Sequence, residues 1–232
     1  MKLMNLFVIG AILFGIACTD MNGQVELKTE QDSLAYAIGL QWGKNLMVDD
    51  LKLNSEVIKA GLEDAYKEAP KLTDAEMQTI LTSLQQKLQD KRMKEQQQAS
   101  SKNLEKADAF LAKNKSANGV KTTASGLQYQ VMKEGNGVSP KATDNVKVHY
   151  HGTLLDGTVF DSSVQRGEPA EFPLNRVIPG WTEGLQLMKK GAKYKFFIPP
   201  GLAYGAQGAG TIGPNSLLIF EVELIDVTPP TK

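Results

Sequence analysis

The chain has 232 residues, enough for one large or two modest domains. Its 26 Lys and Arg balance 26 Asp and Glu, which excludes the basic excess expected of a nucleic-acid-binding protein. A single cysteine excludes an internal disulfide.

The N-terminal stretch reads as a targeting segment. Lys2 supplies a positive start and residues 6–17 form an apolar run. That run is shorter than the roughly 20 residues needed to span a bilayer, and it suits the core of a signal peptide. Cys18 follows Gly15-Ile16-Ala17 directly. Two readings stay open. Cys18 resembles the acylated residue of a bacterial lipoprotein, although Gly15 stands where such signals usually carry Leu. Ordinary cleavage after Ala17 also fits the small Gly15 and Ala17, but the lipoprotein reading is the favoured one. Both readings place the mature protein outside the cytoplasm, in the periplasm or at the outer membrane.

Three helical patterns follow. Leu34, Ile38, Trp42 and Leu46 recur every fourth residue, with Gly39 and Gly43 on a neighbouring stripe where another helix could approach closely. Val57, Ile58, Leu62 and Ala65 make a shorter stripe, with Asn54 or Ser55 as its N-cap. Pro70 closes that region, and Thr73-Asp74-Ala75-Glu76 reads as a capping box. No Gly or Pro occurs from there to about residue 113, so one long helix is expected, about 60 Å at 1.5 Å per residue. Its middle, 89–102, is almost wholly polar and can only be solvated; Leu104, Ala107, Phe110 and Leu111 restore an apolar face. Short helices with apolar stripes bury them either by pairing with a second chain or by folding into a small monomeric bundle. The pattern alone leaves that choice open.

Residues 116–125, rich in Ser, Gly and Thr, read as a linker. Strand signals follow. Val146, Val148 and Tyr150 alternate with Lys147, His149 and His151. Asp156-Gly157 is a hairpin-turn signal. Tyr194, Phe196 and Ile198 form a second alternating run, and Leu218, Phe220, Val222 and Leu224 a third. One short helix is expected at about 180–188. The fold class is therefore α+β: a C-terminal antiparallel sheet wrapped on a short helix, preceded by an all-α region with one long connecting helix.

The region 145–223 is rich in aromatic and aliphatic residues and poor in reactive ones. Tyr150, Phe160, Phe172, Trp181, Tyr204 and Phe220 lie in separate strand and loop signals. No Ser–His–Asp or Cys–His pattern accompanies them. His149 and His151 share a strand face, but no third ligand lies near them in sequence, so no metal is expected. Gly205 to Gly210 opens no helix and lacks a Lys-Ser/Thr, so it is no phosphate loop. Such a composition suits a pocket that acts by shape and low polarity, with no cofactor.

The motifs VHYHGTLLDGTVFDSS, VIPGWTEGLQLMKKG, AYGAQGAG and LLIFEVEL, in this order, resemble an FKBP-type peptidyl-prolyl cis/trans isomerase over residues 126–227. Residues 31–121 are similar to the helical dimerisation region of Mip-like bacterial isomerases, the macrophage infectivity potentiator group. The resemblance implies a signal segment at 1–17, a helical dimerisation region at 24–115 and an isomerase domain at 126–228. It implies a homodimer formed through residues 31–90. It also implies that Asp161, Tyr204 and Tyr150 act on the substrate amide, in a pocket lined by Phe160, Phe172, Val177, Ile178, Trp181, Ile212 and Phe220. Trp181 would be the floor on which the proline ring sits, and the Ile178 N–H a donor to the substrate. The ligands implied are proline-containing polypeptides, unfolded exported proteins and macrolide inhibitors.

Three positions depart from the family pattern. Many relatives carry an aromatic at Ala170, some a large side chain at Ala209, and an apolar residue often stands at Gly213; together these changes open one wall of the pocket. The rival reading is a chaperone or proline-recognising module that holds unfolded chains between helical arms. The enzyme reading places activity on short peptides in residues 120–232, whereas the chaperone reading makes suppression of aggregation depend on 24–115.

Overall fold

The computed structural model describes residues 25–48, 51 and 53–230. The expected signal segment and Cys18 lie outside the described residues. The chain divides into two units, residues 1–78 and 79–232.

The described part of the first unit is mainly helical. Helix α1 spans Glu30–Val48 and α2 spans Ser55–Tyr66. Asn54 caps α2, its side chain accepting from the Glu56 N–H at 2.9 Å. Leu34, Ile38 and Trp42 on α1 are 61%, 45% and 53% exposed, so this stripe is left open by the described residues. Among the described residues, nothing lies within 4 Å of where a Cβ would sit on Gly39 or Gly43. Helix α3, Asp74–Asn114, opens on the expected capping box. The Thr73 N–H donates to Glu76 Oε2 at 2.9 Å and the Glu76 N–H to Thr73 Oγ1 at 3.3 Å.

The second unit contains a seven-stranded antiparallel sheet. Its strands are β1 (Val120–Thr122), β2 (Gln128–Lys133), β3 (Asn145–Leu154), β4 (Val159–Ser162), β5 (Ala170–Pro173), β6 (Lys193–Ile198) and β7 (Leu218–Thr228). They run in the order β1-β2-β6-β7-β3-β4, with β5 paired to the first half of β3. The alternating patterns set this arrangement. Val146, Val148 and Tyr150 of β3, Tyr194 and Phe196 of β6, and Leu218, Phe220, Val222 and Leu224 of β7 all point into one core. Two short helices complete the unit, α4 (Ser163–Arg166) and α5 (Pro179–Gln186).

Helix α5 lies close against β6 because Gly180 and Gly184 present no side chain there. A Cβ on Gly180 would fall 2.5 Å from Ile198 Cγ2, and one on Gly184 2.7 Å from Phe196 Cε1. The two glycines are one turn apart and share a face. Leu185 and Met188 are fully buried behind them, which fixes Trp181 against the sheet.

Two expectations change. The stretch read as a linker carries β1, which pairs with β2 in register Val120↔Gln130. The helix face that meets this unit also differs from the apolar pattern. Leu104 is 42% exposed, whereas Ser100 and Ala107 are buried and Asn103, Phe110, Leu111 and Asn114 partly so. Hydrogen bonds as well as apolar contacts dock the end of α3. Gln128, 3% exposed, donates to the Leu111 carbonyl at 2.9 Å and accepts from Asn114 Nδ2 at 2.8 Å. The Phe110 ring lies 5.6 Å from that of Phe197.

Candidate active site

The core opens on one side into a cavity of about 660 Å³. The sequence-derived candidates Tyr150, Phe160, Asp161, Phe172, Val177, Ile178, Trp181, Tyr204, Ile212 and Phe220 all line it. They come from β3, β4, β5, α5, β7 and two connecting loops, so no local motif could have built the site alone. Arg176, Gly210 and Thr211 also line it without having been singled out, and Ala209 lines it too. Ala209, Gly210 and Thr211 sit in an irregular loop and Arg176 ends a single 3-10 turn, Leu174–Arg176, so no periodic pattern marks an inward side chain.

Trp181, 5% exposed, is surrounded by rings that meet it edge-on. Its centroid lies 5.2 Å from Tyr150 at 84°, 5.1 Å from Phe220 at 76° and 5.8 Å from Phe172 at 86°. Phe160 meets Phe220 at 5.3 Å and 86°. Edge-to-face contacts of this kind are worth about 0.5–1.5 kcal/mol each beyond the area they bury. They also hold each ring in one orientation. The Trp181 indole nitrogen is buried and has no hydrogen-bond partner among the described residues.

The polar edge of the cavity is one connected group. Tyr150 Oη donates to Asp161 Oδ2 at 2.5 Å, and Arg166 Nη2 donates to Tyr150 Oη at 2.8 Å. Arg166 Nη1 pairs directly with Asp161 Oδ1. The Arg166 guanidinium also stands 5.6 Å from the centre of the Tyr150 ring. Burial pushes the Asp161 carboxyl up, but the hydrogen bonds from Tyr150 and Arg166 outweigh it and hold the group below its ordinary value. Burial, with the bond to Asp161, pushes the Tyr150 hydroxyl up. At neutral pH the carboxylate is therefore charged and the phenol keeps its proton.

Local sequence explains this geometry. Asp161 is the penultimate residue of the edge strand β4, and its last residue, Ser162, caps α4, its Oγ accepting from the Gln165 N–H at 3.2 Å. That single turn brings Arg166 back over Asp161. The Asp161-Ser162-Ser163 run is thus a strand end, a helix cap and the first residue of the helix. Behind the strand, Ser163 Oγ accepts from the Tyr150 N–H at 2.8 Å. His149 and His151 reach Ser163 and Ser162 at 3.2 and 3.1 Å. No group of three metal-ligating side chains occurs among the described residues.

Comparison with known proteins gives the family. Residues 137–225 match the family model described as FKBP-type peptidyl-prolyl cis-trans isomerase. Residues 31–131 match that of the domain amino-terminal to it. An FKBP-type isomerase FkpA of Aeromonas hydrophila is 48% identical over 214 residues, covering 89% of this chain and 80% of that protein. The outer membrane protein MIP of Legionella longbeachae is 42% identical over 230 residues, covering 98% and 97%. The crystal structure of FkpA from Escherichia coli superposes with a TM-score of 0.71 at 40% identity, covering 89% of this chain and all of that one. The chain belongs to the FKBP-type peptidyl-prolyl cis-trans isomerase family. Its activity is the interconversion of cis and trans X–Pro bonds, a slow step in protein folding.

Proposed function

We propose that isomerisation takes place in the aromatic cavity, without a covalent step, on X–Pro segments of exported polypeptides during their folding. The observation that carries this reading is the Trp181 floor walled by Tyr150, Phe172 and Phe220, with the Asp161 carboxylate at its edge. Rotation about an X–Pro bond must cross a barrier of about 18–20 kcal/mol because it breaks amide resonance. The planar amide is strongly dipolar; the twisted one is less so. A dry apolar cavity therefore destabilises the planar state relative to the twisted one, which is differential binding of the transition state.

In this reading the proline ring rests on Trp181. Phe160, Phe172, Val177, Ile212 and Phe220 exclude water around it. The Ile178 N–H and the Tyr204 hydroxyl donate to substrate carbonyls. Asp161, held charged by Tyr150 and Arg166, presents an oriented carboxylate to the twisting amide. Tyr204 is 41% exposed, which leaves it open to an arriving chain.

The helical unit supports a homodimer formed through residues 31–90. The exposed Leu34, Ile38 and Trp42 of α1 and Leu62 of α2 form apolar surface that a second copy would cover. The apolar run before Cys18, and the name of the Legionella longbeachae relative, support export to the periplasm or outer membrane, with Cys18 as a candidate lipid anchor.

The test is cis/trans exchange of a short X–Pro peptide followed by NMR, with and without the chain. Exchange cross-peaks that strengthen with catalytic amounts of protein, together with peptide-induced shifts at Trp181 and Phe220, bear out the reading. Acceleration without shifts at these residues would place the chemistry elsewhere.

A further inference from the structure

The loop 205–216 forms one wall of the isomerase cavity. Its tip is closed on itself: the Ala209 N–H donates to the Ile212 carbonyl and the Ile212 N–H to the Ala209 carbonyl, both at 2.9 Å. Gly208 makes this possible, with φ 67° and a Cβ position that would lie 2.3 Å from the Ile212 carbonyl oxygen. The tip residues Ala209, Thr211 and Ile212 face the cavity. The base is closed by the Asn215 N–H donating to the Gly205 carbonyl at 2.8 Å.

The base is also tied to α3. Asn103 Nδ2 donates to the Pro214 carbonyl at 2.8 Å, and Asn215 Nδ2 donates to Ser100 Oγ at 2.8 Å. Ser100 is 9% exposed, and both bonds are partly shielded from solvent. The two helix residues are three apart and share one face of α3. Gly213 lies between the tip and these bonds, where a Cβ would already come within 3.4 Å of Asn103 Nδ2. A larger side chain at Gly213 would push Asn103 away, so this departure from the family pattern makes room for the helix contact. Ser100 and Asn103 themselves lie outside the lining of the cavity.

We propose that Ser100 and Asn103 are positioning residues of the isomerase site. Through Pro214 and Asn215 they fix the loop whose tip closes the pocket, and so α3 sets how firmly the X–Pro segment is held. This rests on the reading of the cavity as the isomerase site. Ala209, Gly210 and Thr211 are exposed and only Ile212 of the tip is buried in the core; exposed loop segments open locally at low free energy, and a shift of about 1 Å in a positioning element is enough to weaken substrate alignment. Two hydrogen bonds to a helix two residues from Ile212 oppose that opening.

The experiment uses the full chain as wild type, Asn103→Ala, Ser100→Ala, Ser100→Thr and Gly213→Val. It reads kcat and KM on a short X–Pro peptide, the melting temperature, and amide hydrogen exchange at Ile212 without peptide. Asn103→Ala, Ser100→Ala and Gly213→Val are expected to raise KM about three- to tenfold, the factor for one lost hydrogen bond, with kcat within about twofold. Their melting temperatures stay near wild type and the Ile212 amide exchanges faster. Ser100→Thr, which keeps the hydroxyl, stays near wild type in every readout. An active wild type whose variants leave KM and Ile212 exchange unchanged overturns the inference alone. Loss of kcat at constant KM with a lower melting temperature also overturns it, because that is a purely structural role. An inactive wild type overturns the reading of the cavity and this inference with it.

Discussion

Gly152 and Phe220 are direct cross-strand partners, and the absence of a side chain on one is what admits the ring of the other. A Cβ on Gly152 would lie 2.8 Å from Phe220 Cε1 and 2.8 Å from Phe160 Cζ. The edge-to-face pair that walls the cavity therefore depends on a glycine in the middle of a strand, a position that ordinarily weakens a sheet. Gly152→Ala should displace both rings. Overpacking of this kind costs about 1–3 kcal/mol. Denaturant unfolding should show that loss, and kcat/KM on a short peptide should fall with it.

Asp161 and Tyr150 should behave as a coupled pair. Removing the carboxylate in Asp161→Ala leaves the Tyr150 hydroxyl with Arg166 as its remaining partner. A fall in kcat/KM of about tenfold is expected, corresponding to about 1.4 kcal/mol of transition-state stabilisation. Asp161 and Arg166 are 44% and 46% exposed, so their ion pair is screened and stability should change little. The double variant Asp161→Ala with Tyr150→Phe should lose less activity than the two single losses combined, because both remove the same hydrogen bond.

The pH dependence follows from the depressed Asp161 pKa, which the bonds from Tyr150 and Arg166 maintain against burial. A lowered folded-state pKa stabilises the protein above the unfolded-state value, and that contribution is lost as pH falls through the folded value. Activity should thus stay level from about pH 8 to about pH 5 and drop only below about pH 4, the ordinary carboxylate range. Asp156, Glu221 and Asp226 are also held low by their partners and share in acid unfolding. The part due to Asp161 is the difference between the acid limbs of wild type and Asp161→Asn.

Where the chain is cut should matter more than the position of the expected linker suggests. A segment 96–232 keeps Ser100, Phe110, Leu111 and Asn114; a segment 120–232 exposes Phe197 and strips Gln128 of both partners. A buried amide left unpaired costs about 1–3 kcal/mol. Both segments should act on short peptides, with 120–232 melting at a distinctly lower temperature. Suppression of aggregation, if it depends on the helical unit, should be absent from both.

The exposed α1 stripe gives a further test. Ile38→Asp with Trp42→Asp should convert a dimer to a monomer in sedimentation equilibrium, with short-peptide activity within about twofold of wild type.

Much of this architecture could be read from the chain. Strict alternation located β3, β6 and β7, and the same alternation put Tyr150 and Phe220 on one interior face. The Thr73–Glu76 box marked the start of α3, and the lack of Gly or Pro carried it to Asn114. Other parts were invisible for physical reasons. Strands β1 and β5 have three and four residues, too few for a period to show. The α3 contact at Ser100 and Asn103 is made by hydrogen bonds, so hydrophobic spacing favoured Leu104, which faces water. Thr211 reaches the cavity from a loop whose base is held by Asn103 through Pro214, and Arg176 ends a single 3-10 turn, so neither has a period to mark it.

The central claim is that the Trp181 cavity, with Asp161 at its edge, performs the isomerisation. Protease-free kinetics on a short X–Pro peptide test it most directly, run on the wild type beside Asp161→Ala and Trp181→Ala, with Trp181→Phe as a folded control. Trp181→Phe gives up no hydrogen bond, since the indole nitrogen makes none among the described residues. The account predicts clear acceleration by the wild type, a fall in both alanine variants, and partial activity in Trp181→Phe. Acceleration that persists undiminished in folded Asp161→Ala and Trp181→Ala proteins would contradict it.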